Sequence, residues 1–358
     1  MLIFAWCWAI LGNPAALNNR AAQLYFEGRL AEAEHLYRVA LAVTPAADEL
    51  RTATISSNLA ALCKAEARYG EAESLYRRAL TLRQDALGAG HADVGASMNN
   101  LAEVLRLEGR YDEAVPLFER ALAIFDHLGV SVRGDLGLVL NNLGEIYRVY
   151  GLRGEAERLL REAIPLIEQA YGPQHVRTAM ALNNLAQLLE QRNKLGESVR
   201  VQLRGLEILR NNAGRHDAEL AISLSNLGCV YAHQRRLADA EQLHRQALEL
   251  IGPGDSPERA AILHNLSLTL EGSGRWADAL RAMEQSRSIR ERVFGAGHPV
   301  VASLLKDYAR LLRRMKRTAE AVELEAKAQA LLDQHHAPAV SNLVVRMETL
   351  KSWRQAGK

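Results

Sequence analysis

Residues 96–123 read ASMNNLAEVLRLEGRYDEAVPLFERALA. In the first half of this stretch, apolar residues recur at the three- and four-residue spacing of one face of an α-helix. Gly109 interrupts the pattern, and a second amphipathic helix is predicted from Tyr111 onward. The apolar positions are Met98, Leu101, Ala102 and Leu105 in the first helix and Ala114, Leu117, Phe118, Ala121 and Leu122 in the second. The stretch therefore predicts a hairpin of two packed helices.

This hairpin is repeated along the chain. The tripeptide Asn-Leu followed by Ala, Gly or Ser returns at four intervals of 42 residues and a last interval of 39. The tripeptides begin at Asn58, Asn100, Asn142, Asn184, Asn226 and Asn265, and their register extends back to Asn19 and forward to Asp307. A fixed period of this size indicates a stacked array of one supersecondary unit. We therefore predict an all-α solenoid of about eight tandem hairpins, forming a single domain over residues 13–335.

Two columns of the repeat determine its packing and its turn. A small residue recurs in the second helix, at Ala33, Ala72, Ala114, Ala156, Ser198, Ala240, Ala279 and Ala321. It lets two helix axes approach closely, so a larger side chain there should prevent the hairpin from closing. The turn column holds glycine at positions 28, 109, 151 and 274, but Ala67, Asn193, Arg235 and Lys316 in the other copies. Glycine is therefore favoured at the turn without being required.

Composition is that of packed helices, and any electrostatic preference for a partner must be local. The 358 residues are 48% hydrophobic, 24% charged and only 5% aromatic. A formal net charge of +2 provides no overall basic field for nucleic acid or for an anionic membrane. The three cysteines, at positions 7, 63 and 229, have no paired spacing. Neither a disulfide framework nor a zinc site is predicted from them.

The two ends of the chain differ from the array. Residues 1–12 form an apolar segment that is too short to span a bilayer but long enough for the core of a secretory signal. The segment lacks the basic residue that usually precedes such a core, so a cap folded onto the first repeat is an equal alternative. The compartment, cytoplasmic or exported, depends on this choice. Residues 336–358 are predicted as a tail with a capping helix over about residues 341–354.

The repeat columns resemble those of the tetratricopeptide repeat. The positions that carry the resemblance are Leu101, Ala102, Gly109, Tyr111, Ala114, Phe118 and Ala121. The period of 42 residues, and loops such as Gly295-Ala296-Gly297-His298-Pro299, resemble the kinesin light chain type of repeat, which is also common in bacterial proteins. The chain lacks the usual early Trp of the family and the kinesin-binding heptad segment of a true light chain. The resemblance implies a right-handed superhelix and a protein-binding function, but no association with a motor.

Polar residues opposite the apolar stripe of the first helix are candidates for binding. They are Asn99, Glu103 and Arg106 in one copy, Asn141, Glu145 and Arg148 in the next, and Asn183, Gln187 and Glu190 in the third. In tetratricopeptide arrays this face lines the concave groove, so by resemblance these residues form the predicted site. Asparagine amides can hold the backbone of an extended peptide, and arginines can select a carboxylate through paired hydrogen bonds.

Two other interpretations of this face remain open. Glu103 and Glu145 could already neutralise Arg106 and Arg148 on a solvated surface. The adjacent asparagine column, which includes Asn100 and Asn142, is predicted to have a structural role in hydrogen bonds between helices.

The last repeat carries a basic row. Lys306, Arg310, Arg313 and Arg314 occupy the corresponding face, with Lys316 and Arg317 nearby. Such a row could attract an acidic peptide, RNA or an anionic lipid. Because no aromatic stacking platform accompanies the charge, a solvated terminal cap is the favoured interpretation.

Neither metal binding nor catalysis is predicted. His91, His175 and His298 share one loop register, but equivalent loops two repeats apart are too distant to share an ion, so we expect these histidines to cap the helices that follow. The sequence has no glycine-rich phosphate loop after a strand and no nucleophile elbow. We expect no enzymatic activity, no cofactor and no small-molecule substrate.

We therefore predict a protein–protein interaction scaffold that binds an extended peptide along its concave groove. One form of this prediction is that the peptide is acidic. The alternative is an architectural or self-associating scaffold that uses its convex surface or the terminal residues Trp6, Trp8 and Trp353. A weaker alternative is RNA or membrane binding through the basic row. The identity of the ligand is not predicted.

Overall fold

A computed structural model describes residues 13–334 except 213 and 215, and within them the chain forms sixteen α-helices. The first eight are α1 (Pro14–Phe26), α2 (Leu30–Val43), α3 (Glu49–Ala65), α4 (Tyr69–Leu87), α5 (Ala92–Leu107), α6 (Tyr111–Leu128), α7 (Arg133–Val149) and α8 (Arg153–Tyr171). The others are α9 (Val176–Gln191), α10 (Leu195–Asn211), α11 (Asp217–His233), α12 (Leu237–Ile251), α13 (Pro257–Gly272), α14 (Trp276–Phe294), α15 (Pro299–Arg314) and α16 (Thr318–Gln334). Each odd-numbered helix and the next even-numbered one form a hairpin, which gives repeats 1 to 8.

The predicted all-α solenoid of hairpins is therefore confirmed. The apolar segment 1–12 and the tail 336–358, with its predicted capping helix, lie outside the described residues.

The small-residue column lies where the two helices of each hairpin meet. All eight of its members, from Ala33 to Ala321, have no exposed surface. In repeat 3, Ala114 is accompanied by the fully buried Phe118, which fills the wider space one turn further along α6. Small residues at the crossing and large ones beside it are what close helix packing requires.

The turn column has one backbone conformation throughout. Gly28, Gly109, Gly151 and Gly274 have φ angles of 75–77°, and the four other residues have φ angles of 57–63°. In repeat 3, the amide of Arg110 donates to the carbonyl of Leu105 at 2.8 Å, and that of Gly109 donates to Arg106 at 3.0 Å. These bonds satisfy carbonyls at the end of the helix and need a left-handed residue between them. The prediction that glycine is favoured but replaceable is confirmed.

The predicted helix caps are also confirmed. The Nδ1 atoms of His91, His175 and His298 accept hydrogen bonds of 3.1–3.2 Å from the backbone amides two residues later. Each histidine is the N-cap residue of its helix, α5, α9 or α15. An imidazole nitrogen thus takes the role that a Ser or Asp oxygen usually has at this position.

The odd-numbered helices form the inner layer of the solenoid. Most of them contact the next odd-numbered helix directly, as α5 does with α7, α7 with α9, and α9 with α11. The main contacts of the even-numbered helices are instead with the odd-numbered helices before and after them. Because the more closely stacked layer lies on the inside of a curve, the odd-numbered helices face the concave side.

The core is continuous through repeats 1 to 6 and then changes. One buried apolar cluster extends from Leu17 to Ile262, whereas a separate one, from Leu266 to Ala321, serves repeats 7 and 8. In repeats 5 and 6 the column that holds Phe118 in repeat 3 holds the polar residues Gln202 and His244, both fully buried. Polar side chains therefore enter the core in these two repeats, and the two apolar clusters meet on α13.

Candidate peptide-binding groove

We use "the groove" for the concave surface of α5, α7 and α9 that carries the predicted site residues from Asn99 to Glu190. The second and third positions of each row, such as Glu103 and Arg106, follow the first by four and seven residues on one helix face. Regular stacking places equivalent residues of neighbouring repeats side by side. The geometry of these side chains decides which of them can meet a ligand.

Arg148 is already paired. Its Nε and a terminal nitrogen donate to the two carboxylate oxygens of Glu145 at 3.1 and 3.0 Å, and both side chains are mostly buried. Burial alone would lower the pKa of Arg148, but the Glu145 carboxylate outweighs it and raises that pKa. For Arg148, the interpretation that its neighbouring glutamate neutralises it is the one the geometry supports.

Glu103 is paired across repeats. Its carboxylate accepts a hydrogen bond of 2.8 Å from the Nζ of Lys64, which lies on α3 of the preceding repeat. Burial would raise the pKa of Glu103, but the Lys64 ammonium, together with the charges of Arg106 and Arg177, outweighs burial and holds the pKa below its ordinary value. Glu103 therefore stays ionised, and its nearest cation is Lys64 and not Arg106.

Arg106 differs from both. Its Nε is buried without a hydrogen-bond partner, and none of the ion pairs among the described residues includes it. Its charge acts on the phenols of Tyr69 and Tyr111 and opposes the increase that burial causes in the pKa of each. A guanidinium beside two aromatic rings and without a bonded carboxylate retains its capacity to bind one.

All three predicted asparagines already use their acceptor oxygens. Asn142 donates to the amide oxygen of Asn99, and Asn184 donates to that of Asn141, each at 3.1 Å. Further bonds of this kind join Asn58 to Asn18 at 2.8 Å and Asn265 to Ser225 at 3.1 Å. The structural role predicted for the adjacent asparagine column is thus confirmed at these four positions. The amide nitrogens of Asn99 and Asn141 are only weakly engaged, at 3.5 Å from the next side chain along the helix.

Asn183 faces the core. Its oxygen accepts hydrogen bonds from Gln202 at 2.8 Å and from Ser223 at 3.0 Å, and the side chain is buried. The bond that Asn226 would make in this register is therefore missing, and the Nδ2 of Asn226 has no partner among the described residues. Because Asn183 bonds to Gln202, it does not take part in the asparagine hydrogen bonds that join successive repeats.

A cavity of about 530 Å³ continues the concave surface beyond Gln187. Its lining includes Glu190 and Cys229 at one end and Glu271, Arg310 and Arg314 at the other. Burial raises the pKa of Glu190 to about 7, with the charge of Arg148 opposing this. The wall formed by Glu190 therefore changes charge near neutral pH.

Most of the basic row in the last repeat is ion-paired. Arg310 and Arg314 share the nearly buried carboxylate of Glu271, at 3.5 and 3.1 Å, and Arg313 pairs with Glu325 at 2.6 Å. Lys306 is exposed. The positive charge that the sequence concentrates here is thus largely balanced by Glu271 and Glu325.

Sequence reasoning missed three residues that shape the groove: Lys64, Tyr69 and His233. His233 lies with its Nδ1 3.0 Å from the Glu190 carboxylate. Lys64 occupies the column of Arg106 one repeat earlier, so a reading of that column beyond three copies would have found it. Tyr69 and His233 do not belong to the columns of the predicted site residues, and only the tertiary packing places them at the groove.

No three side chains of His, Cys, Asp or Glu in this part of the chain gather closely enough to hold a metal ion. None of the described helices is both long enough and apolar enough to cross a membrane.

A stack of eight helical hairpins around a polar concave surface defines the class of helical-repeat scaffolds. The tetratricopeptide repeat family matches residues 13–85, 51–127, 135–211 and 258–334, and a second description of the same repeat matches residues 220–251. The chain belongs to the tetratricopeptide repeat family, and the family supports a protein–protein interaction scaffold. No curated protein matches it.

Several solved structures are similar to the chain at low sequence identity. A Rap protein in complex with competence and sporulation factor is 15% identical, with 78% of this chain and 75% of that one covered and a TM-score of 0.59. BtubC (BKLC) from P. vanneervenii is 20% identical, with 65% and 92% covered and a TM-score of 0.47. A putative kinesin light chain from Podosopora anserina, with nearly identical TPR-like repeats, is 19% identical, with 55% and 96% covered and a TM-score of 0.40.

Proposed function

We propose that the groove binds an extended peptide with acidic side chains, and that Arg106 is the residue that pairs with a ligand carboxylate. The observation that carries this proposal is that Arg106 has no ion pair among the described residues, whereas Arg148 and Glu103 are already paired. The buried Nε of Arg106 has given up water without gaining a hydrogen bond, and the nearby Glu103 carboxylate bonds to Lys64 instead. A bidentate carboxylate from a ligand would supply the missing interaction.

The amides of Asn99 and Asn141 provide the second contact. Their oxygens are engaged between repeats, but their nitrogens are only weakly bonded and can donate to the carbonyls of a peptide in the groove. Donors from successive repeats match the extended backbone of one strand without selecting its side chains. Asn183, which bonds to Gln202 and Ser223, has the smallest part in this proposal.

The remaining site residues set the charge around the peptide. The pairs Lys64–Glu103 and Arg148–Glu145 are each neutral, so the excess charge in this part of the groove is that of Arg106. Gln187 adds a neutral polar surface before Glu190. The groove therefore favours one acidic side chain at the third repeat over a uniformly acidic ligand.

The test compares fluorescein-labelled octapeptides that differ only in charge: a series with one Glu at successive positions of a Gly-Ser chain, the matching Lys series and the uncharged parent. We expect the Glu peptides to bind best. Arg106→Ala should weaken their binding about tenfold or more, as the loss of a charge-assisted bidentate contact does. Arg106→Lys should retain part of the binding.

Arg120→Ala is the matched control, because Arg120 is an exposed arginine of α6, on the outer layer of the same repeat. It should leave the binding of the Glu peptides unchanged. Equal binding by wild type and Arg106→Ala, or no preference for Glu over Lys, would reject the proposal.

The self-associating scaffold and the basic-row alternatives stay predictions. The pairing of Arg310, Arg313 and Arg314 with acidic residues gives RNA binding no added support. Measurement of particle size across a range of protein concentrations tests self-association directly.

A further inference from the structure

The superhelix touches itself. The ring of Tyr69, at the start of α4, stacks on Phe294, at the end of α14, with ring centroids 6.1 Å apart and planes inclined by 18°. A Cβ on Gly109, in the turn between α5 and α6, would lie 3.1 Å from the Cγ of Pro299, the first residue of α15. Repeats 2 and 3 thus meet the loop between repeats 7 and 8. We call these four residues the latch.

The loop that makes the contact is the long one that distinguishes this repeat. The ring centroids of Phe294 and His298, the N-cap residue of α15, lie 4.9 Å apart. This contact joins the two sides of the loop over residues 295–299. The equivalent positions of Phe294 hold Leu87 and Tyr171 in other copies. Only in repeat 7 does this loop meet another part of the described array through an aromatic stack.

The latch lies beside the residue that the proposed function needs most. The charge of Arg106 acts on Tyr69, and burial raises the pKa of that phenol to about 12. Across the concave space, the charge of Glu258 on α13 acts on Tyr69, and that of Glu219 on α11 acts on Tyr25. Residues of the early repeats therefore lie within electrostatic reach of residues of the later repeats, and the latch lies next to Arg106.

We propose that the latch acts as a gate: the Tyr69–Phe294 and Gly109–Pro299 contacts hold the superhelix closed, and their separation admits a ligand to the groove. This proposal rests on the proposed function in that it makes the groove the binding surface. Two contacts between side chains can separate while the repeats themselves stay folded.

The test opens and locks the latch without any ligand, so its result is independent of whether acidic peptides bind. The locked form carries Gly109→Cys and Pro299→Cys, because a Cβ at 109 lies 3.6 Å from the Cβ of Pro299, a separation that a disulfide spans. The open form carries Phe294→Ala, and its matched control is Phe26→Ala, which removes an aromatic ring that is 76% exposed. All are made together with Cys7→Ser.

The native thiol of Cys229, which lines the cavity on the concave side, reports access to the interior. Burial raises the pKa of this thiol, so its modification is slow and the rates are compared between variants at one alkaline pH. After mild oxidation, mass spectrometry should find positions 109 and 299 joined within one molecule. A polymer-linked maleimide should then modify Cys229 about tenfold more slowly in the locked form than in Phe294→Ala, the shift in open population that one aromatic stack supports. The much smaller N-ethylmaleimide should modify Cys229 at similar rates in both.

Three results would overturn the proposal: no disulfide within one molecule, equal modification of Cys229 by the polymer reagent in locked and open forms, or a radius of gyration by small-angle X-ray scattering that is the same in Phe294→Ala and Phe26→Ala. The scattering comparison needs no engineered cysteine. It therefore decides the question even if the strained Gly109→Cys substitution prevents folding.

Discussion

The imidazole of His244 fills the space beside Gly228, and a Cβ on Gly228 would lie 2.8 Å from the Cε1 atom of that ring. The same relationship occurs two repeats earlier, where a Cβ on Gly144 would lie 2.8 Å from the Cγ of Leu160. Position 228 belongs to the small column of the first helix, and position 244 to the column of Phe118 in the second. Glycine in the small column of the first helix thus makes room for the side chain in the Phe118 column, which is Leu160 in one repeat and His244 in the other.

Gly228→Ala should destabilise the protein by about 1–3 kcal/mol, because the added methyl group must displace the buried imidazole. The matched control is Gly196→Ala in α10, where nothing lies within 4 Å and the better helix former should stabilise by up to about 1 kcal/mol. Urea unfolding followed by circular dichroism measures both. The packing argument fails if the two substitutions change stability in the same direction.

Acid should weaken the fold through His244. Burial lowers the pKa of this imidazole to about 4, below its ordinary value of 6.5. Between these values the unfolded chain binds one more proton than the folded chain, so the free energy of unfolding decreases as pH falls. The loss attributable to His244 should be about 2 kcal/mol between pH 6.5 and pH 5.

His244→Leu reproduces the Gly144–Leu160 arrangement and removes the titrating group. Urea titrations at pH 7 and pH 5 should show a smaller loss of stability on acidification in this variant than in wild type. All other acid-sensitive groups are common to both proteins. An equal loss in the two would show that His244 is not the group that responds.

Base should act in the opposite direction through Glu190. Burial raises the pKa of this carboxyl from 4.5 to about 7, so the folded chain holds a proton that the unfolded chain has released. Stability attributable to this group is therefore lost as pH rises from about 4.5 to about 7. Glu190→Gln should increase stability relative to wild type by about 2 kcal/mol at pH 8 and by little at pH 5. A gain that is the same at both pH values would contradict this assignment.

The turn column predicts gains from glycine. Arg235 and Lys316 each have a φ of 63°, a conformation that costs a residue with a side chain about 1 kcal/mol. Arg235→Gly or Lys316→Gly should raise stability by up to that amount. Gly151→Ala, at a φ of 76° with nothing within 4 Å of the added Cβ, should lower it by a similar amount. Thermal melts compare the three, and a stabilising Gly151→Ala would be inconsistent with left-handed strain.

Much of the fold was accessible from local sequence. The hairpins, the small column, the turn conformation and the histidine caps depend on residues within one repeat, and each was predicted from its spacing. The candidate site was predicted less well. Arg106 and Arg148 are equivalent in sequence, yet only Arg148 has its glutamate within bonding distance, because Glu103 bonds to Lys64 of the preceding repeat instead.

The buried polar residues illustrate a second limit. Gln202 and His244 occupy the column of Phe118, so a complete reading of that column would have marked them as polar residues in a core position. It would not have revealed that Gln202 bonds to Asn183 and so removes Asn183 from the asparagine hydrogen bonds between repeats. Which of several donors bonds to the Asn183 oxygen depends on how the helices pack in three dimensions.

The amino-acid sequence by itself determined the period, the helical hairpin and the face that each inner helix turns to the concave side, since these follow from interactions a few residues apart. Only the tertiary structure decided which charges in the groove remain available and that Tyr69 meets Phe294, 225 positions later in the chain. The physical reason is that small rotations between successive repeats accumulate. No single repeat contains the curvature that brings the second and seventh together.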